Sequence, residues 1–328
     1  MTPRLFNSER QPLIKVRSLL SIFVASLLLC ALPGSICAQI FVTNSGTGTV
    51  GEYSTSGEPL DLTLISGLIS PQGIAVSGEN LFVTSFAVPD RGEGRVGEYT
   101  ISGAPVNRTL ITLFGPSAIA VSGMNLFVVS DNISSESSKV GKFTTSGALV
   151  NRDLIAGLSF PNALAVSGNK LFVADFGNQN IGKYTTSGEP VNARLVPAMT
   201  FASSMAVFGD SLFVADVSLG RVSEYNTTTG ALVNPTLVAG LDHPSGLAVS
   251  GGYLFISDYN AGTIGEYTLS GETVDANLIS GLDHPTSIAV IPASVAEISS
   301  TWILLLLAVT AILSLKARLP RQAQGALT

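Results

Sequence analysis

Cysteine is all but missing from this 328-residue chain: Cys30 and Cys37 are the only two, and both stand near the N-terminal end. A disulfide framework is therefore excluded beyond residue 37, and packing has to supply the stability. Charge is scarce too, at 12% of residues. What there is leans acidic, since residues 39–297 carry 22 Asp and Glu against 10 Lys and Arg. Such a surface repels phosphate backbones and argues against nucleic acid as a partner. Histidine occurs twice, at His243 and His284, and tryptophan once, at Trp302. Between residues 39 and 297, short apolar stretches alternate with Gly, Ser, Thr and Asn, which is a turn-rich β composition.

The positive mean hydropathy of +0.44 has its source in the two ends. Residues 1–38 read as a signal peptide: Arg4, Arg10, Lys15 and Arg17 precede an apolar run over 19–32 and a small-residue stretch ending at Ala38, where cleavage is expected. An uncleaved anchor helix competes with this, because the basic region is long and Ile36 is large for its place. At the other end, residues 298–315 (ISSTWILLLLAVTAILSL) lead straight into Lys316-Ala317-Arg318. At about 1.5 Å per residue that stretch comes close to the ~30 Å hydrocarbon core, with Trp302 at an interface and the basic tail 316–328 in the cytoplasm. A buried core helix is the alternative. Residues 293–297 form a linker.

Internal repetition decides the fold. GIAVSGENLFVTS at Gly73 returns as AIAVSGMNLFVVS at Ala118, ALAVSGNKLFVAD at Ala163, SMAVFGDSLFVAD at Ser204 and GLAVSGGYLFISD at Gly246. A second phrase follows each, as in VGEYTISG at Val96 and IGKYTTSG at Ile181. The shared alanine stands at 75, 120, 165, 206, 248 and 289, a period of 41 to 45 residues. Each unit holds four short segments separated by turn residues, as a four-stranded antiparallel blade requires. The first unit starts in its second strand, at Gln39, and the last stops after its first, at Ile288-Ala289-Val290. Each end completes the other. The expectation is an all-β, six-bladed β-propeller over 39–292, closed by pairing the C-terminal strand with the N-terminal blade. A solenoid, the alternative, would want capping units.

These units resemble those of six-bladed NHL-repeat propellers, and residues 161–187 (PNALAVSGNKLFVADFGNQNIGKYTTS) resemble them most. The stretch NQNIGKY from Asn178 also resembles repeats of streptogramin lyase relatives, and gluconolactonase-type hydrolases share the architecture. The tail is similar to the bacterial PEP-CTERM sorting signal, although Val295-Ala296-Glu297 stand where that motif has its prolines. The resemblance implies an exported protein, either held in the inner membrane facing outward or released to the envelope after tail processing.

In such a ring the loops joining strand d to strand a, and b to c, open at one mouth of the central channel, where ligands usually bind. The d-to-a positions are Gln72, Ser117, Asn162, Ser203, Ser245 and Thr286, which vary while the strands beside them repeat. Small residues next to them (Gly73, Ala118, Ala163, Ser204, Gly246, Ser287) are expected to leave the mouth open. His243 and His284 share the phrase Leu-Asp-His-Pro at this face; a metal or proton-relay role competes with an ordinary turn role. Strand b ends at Asp175, Asp216 and Asp258 in three blades. These are candidate ligands for Ca²⁺ or another divalent metal, against the reading that each caps its own turn. No resident cofactor is otherwise implied. The long b-to-c connections 85–95 and 130–139 are either tolerated insertions or contact loops. The functional expectation is a non-catalytic module binding a protein, glycan or small ligand at the mouth. The alternative is a metal-dependent lactonase or a lyase of the propeller type.

Overall fold

The computed structural model describes residues 38–86, 93–130 and 138–292. The expected leader, linker, membrane segment and tail lie outside them, as do the tips of the two long connections. Among the described residues no helix is long and apolar enough to cross a membrane. Six four-stranded antiparallel sheets make up residues 38–292.

Each blade grows from one pattern. Strand b carries a central apolar triplet, Leu-Phe-Val in four blades, and its phenylalanines at 41, 82, 127, 172, 213 and 255 are at most 2% exposed. A strand lying between two neighbouring blades is buried on both faces, so its sequence runs apolar without alternation. The phenylalanine points toward one neighbour and the flanking residues toward the other. Phe82 packs in one cluster with Leu126 and Val128 of the next blade, and Phe127 with Leu171 and Val173. Phe172 does so with Leu212 and Val214, Phe213 with Leu254 and Ile256, and Phe255 with Ile40 and Val42. Burial of such a ring is worth several kcal/mol, judged by a cost of about 3–5 kcal/mol for Phe→Ala.

Strand c explains its own glycine. In five blades the aromatic two residues on folds back over it: a Cβ at Gly182 would stand 2.6 Å from the Tyr184 ring, and one at Gly97 2.7 Å from that of Tyr99. Blade 5 has Ser223 there instead, and its hydroxyl donates to the Pro235 carbonyl at 2.8 Å.

The ring closes as the repeat ends require. Strand a of blade 1 is Pro285–Ile291 and strand b is Gln39–Asn44. They pair antiparallel, with Val42 opposite Ile288 and Phe41 opposite Ala289.

Two expected outcomes follow from the packing and the charges. Ile288 is 5% exposed and clusters with Ile40, Val42 and Phe255. Because it clasps the ring, Ile288→Ala should destabilise the whole domain by about 2–5 kcal/mol in denaturant unfolding. An unchanged global midpoint, with fraying of the last strand alone, would contradict closure. The second concerns Glu266, which faces Asp275 across strands c and d of blade 6. Burial first, and the Asp275 charge second, push its carboxyl above the ordinary range. The folded state then holds this proton more tightly than the unfolded chain. The associated stability is full below the ordinary Glu range and is lost as pH rises through the folded value. Glu266→Gln should therefore raise the melting temperature near about pH 7.5 and leave it nearly unchanged near about pH 4.

Candidate functional site

The six d-to-a residues converge. Gln72, Ser117, Asn162, Ser203, Ser245 and Thr286, one from each blade, line a single cavity of about 380 Å³ at the channel mouth, together with His243. Among the described residues no Asp, Glu, Lys or Arg contributes to its lining. Two aromatic residues that sequence reading passed over, Phe201 and Tyr259, complete it. His284 does not line it.

The ring is chemically lopsided, and the contrast lies one layer deeper, at the position two residues after the strand-b phenylalanine. In blades 6, 1 and 2 this is Ser257, Thr43 and Thr84, each at most 0% exposed. In blades 3, 4 and 5 it is Val129, Ala174 and Ala215. On the hydroxyl side the polar groups are tied together. Ser245 Oγ meets Ser257 Oγ at 2.8 Å and donates to the Pro285 carbonyl of the next blade at 2.6 Å. Thr286 Oγ1 meets Thr43 Oγ1 at 2.8 Å and donates to the Pro71 carbonyl at 2.9 Å. Thr84 Oγ1 accepts from the Gly73 amide at 2.7 Å and donates to the Ser117 carbonyl at 3.2 Å. Ser203 likewise donates to the Pro244 carbonyl. These hydroxyls fasten blade to blade.

In blade 5 Ser203 also reaches the Ala215 carbonyl at 3.3 Å, but in blades 3 and 4 the strand below offers no partner. Ser117 Oγ and Asn162 Oδ1 are buried without a hydrogen bond, and so is Nδ1 of His243 across the cavity. Asn162 sits where the pairing of strands a and b slips by one residue, between the Pro161–Asp175 and Ala163–Ala174 pairs. Such an irregularity turns a side chain out of the ladder. Ser117 lies in the corresponding slip between Pro116 and Ile119.

At two of the small residues beside the ring, space is also limited by the neighbouring blade. A Cβ at Gly73 would stand 2.9 Å from the Ser117 carbonyl, and one at Gly246 2.9 Å from Ser287 Cα. Neighbouring strands a approach so closely that size is limited there.

The strand-b aspartates serve as ties. Asp175 accepts from the Ser159 amide and from Asn178 Nδ2, both at 2.8 Å. Asp216 accepts from Thr200 Oγ1 at 3.0 Å and the Leu219 amide at 3.2 Å. Asp258 accepts from the amides of Asp242, His243 and Ala261. Each carboxylate thus joins the d-to-a loop entering its blade to its own b-to-c loop, which is the turn-capping reading extended by one loop. Among the described residues no three His, Cys, Asp or Glu converge as a metal site would require.

The two histidines are brought together by a third ring. Tyr259 lies 5.2 Å from the His243 ring and 4.6 Å from the His284 ring, centroid to centroid, tilted by 47° and 50°. His284 holds a left-handed backbone (φ 55°), and its Nδ1 is 2.7 Å from Asp283 Oδ1.

The division of the ring makes a direct test. Ser245→Ala should cost about 1 kcal/mol in equilibrium unfolding, whereas Ser117→Ala should cost almost nothing. Equal losses would remove the distinction between fastened and free residues.

Comparison with known proteins places the repeat. The LVIVD repeat matches residues 162–179 and 243–264, in blades 4 and 6. No curated protein sequence matches the chain. Among solved structures, a chain in the crystal structure of a nidogen/laminin complex is similar with a TM-score of 0.62 and 16% identity, covering 77% of this chain and 98% of that one. A computationally designed protein, Ika8, aligns at 13% identity with a TM-score of 0.47, covering 78% of each chain. The first of the LVIVD matches falls on the blade whose sequence most resembles an NHL unit, and the nidogen/laminin likeness carries the same ring. By fold the chain is a six-bladed β-propeller, and two segments of it match the LVIVD repeat.

Proposed function

We propose that this propeller is a non-catalytic binding module and that its ligand enters the channel mouth. One observation carries the reading: three side chains from three blades, Ser117, Asn162 and His243, line one cavity, and each also holds a buried polar atom with no hydrogen-bond partner among the described residues. A buried polar atom without a partner costs about 1–3 kcal/mol, and a bound molecule is the simplest way to recover it. The aspartates nearest the mouth are occupied by loop amides, which favours binding over metal-assisted hydrolysis. The module is exported under the leader 1–38 and held to the inner membrane by residues 298–315, as the sequence of those ends supports.

The test is to screen small molecules against the full-length chain by NMR, with labelled methyl groups at Ile119, Met205 and Ile288 reporting on the mouth. A ligand of the mouth should shift these signals. His243→Ala should weaken it, and Ser187→Ala, on the opposite face, should not. Ligands that shift only opposite-face signals would overturn the assignment.

A further inference from the structure

The chemistry of the cavity goes further than its place. Among the described residues an anion entering it would meet no Lys or Arg and a cation no free carboxylate, because none of the described lining residues carries a formal charge. Desolvating an ion without a partner is costly, so the lining selects against charge. The unpartnered groups are a hydroxyl, a side-chain amide and an imidazole nitrogen. A hydroxyl and an amide each donate and accept, and the group that answers both without choosing is another hydroxyl. Tyr259, Phe201 and Ile119 line the same cavity and give it apolar surface. The matching ligand alternates hydroxyls with an apolar face. The volume, about 380 Å³, stands at the lower end of pockets that hold one small molecule, and it is too confined for an extended peptide.

We propose that the channel mouth binds one neutral, multiply hydroxylated ring, an uncharged sugar unit. Ser117 and Asn162 hold its hydroxyls from blades 3 and 4, and His243 holds it from blade 6. This rests on the binding-module reading and names its ligand. The unit sits off the channel axis. On the side of blades 6, 1 and 2 the hydroxyls of Ser245, Thr286 and Thr84 are already engaged between blades, whereas Ser117 and Asn162 are not. The sugar supplies there the partner that Val129 and Ala174 cannot.

The experiment uses the full-length chain and ligand-observed saturation-transfer NMR, with mouth methyl signals followed in parallel. The probes are neutral hexoses, the matching uronic acids and amino sugars, and a neutral oligosaccharide of the same unit. Neutral sugars should bind and shift the mouth signals, and the charged counterparts should bind at least about tenfold more weakly. Ser117→Ala with Asn162→Ala should weaken binding by about tenfold or more while the unfolding midpoint stays within error, which separates lost contact from lost fold. Tighter binding of the oligosaccharide indicates the end of a glycan; equal binding indicates a free sugar; both support the proposal. Equal binding of uronic acids, no binding of any neutral sugar, or binding indifferent to the double substitution overturns it. If a molecule of another class shifts the mouth signals, the sugar is wrong and the binding module stands. If nothing shifts them, both fall.

Discussion

Everything in this propeller depends on one contact repeated around a ring: the strand-b phenylalanine of one blade set among the strand-b side chains of the next. Phe82 reaches Leu126 and Val128, Phe127 reaches Leu171 and Val173, and the series ends when Phe255 reaches Ile40 and Val42. Because the contact is directional, a blade alone leaves one apolar face bare on each side. Only a closed circle satisfies every copy. That is why the chain begins in the middle of a repeat. With strand a of blade 1 arriving from the far end, the C-terminal strand is stitched to the N-terminal blade by backbone hydrogen bonds as well as by side chains.

Closing the ring brings six strands a together around the axis, and their crowding shapes the mouth. At Gly73 and Gly246 there is no room for a side chain against the adjoining strand. Polar residues just outside this crowded layer then have two outlets, the neighbouring blade or the cavity. The buried hydroxyls of Thr43, Thr84 and Ser257 give the first outlet to half the ring, and Val129 and Ala174 leave Ser117 and Asn162 with the second. A nearly sixfold scaffold thereby acquires a direction.

The sequence made the scaffold legible because its constraint is repeated: a period of 41 to 45 residues and two complementary ends leave little freedom in ring size or register. The convergence of Gln72, Ser117, Asn162, Ser203, Ser245 and Thr286 was legible for the same reason, since equivalent positions of a ring must meet at its axis. Their different duties were not. Ser245 and Thr286 meet a strand-b hydroxyl, whereas Ser203 is fastened through the Ala215 and Pro244 carbonyls alone. The contrast of Thr43 and Ser257 with Val129 and Ala174 is visible in the aligned repeats, but only once strand a is laid on strand b. Tyr259 escaped for another reason. It occupies the first position after Asp258, where the residue type changes from blade to blade with only Phe86 and Phe176 alike, and its role comes from two histidines 41 positions apart that only the fold draws to one ring.

The outer rim poses the opposite problem, an open edge that must not bind. Strand d of every blade faces solvent and exposes aliphatic residues, among them Leu60, Val106, Val150, Val191, Val233 and Val274, all about half exposed or more. An edge of that composition is a template for pairing with another chain. Each of these strands is interrupted at the same place. An Asn or Asp side chain accepts from the backbone amide two residues on: Asp61 from Thr63, Asn107 from Thr109, Asn151 from Asp153, Asn192 from Arg194, Asn234 from Thr236 and Asp275 from Asn277. Opposite it, the pairing with strand c slips in all six blades. The side chain takes up an amide that a flat edge would have offered outward, and the slip bends the strand away from a straight template. The rim is thus kept from pairing by the local chemistry of strand d, while the interior is specified by contacts between blades. The two demands fall on different residues of the repeat, which leaves the d-to-a positions at the mouth free to differ from one blade to the next.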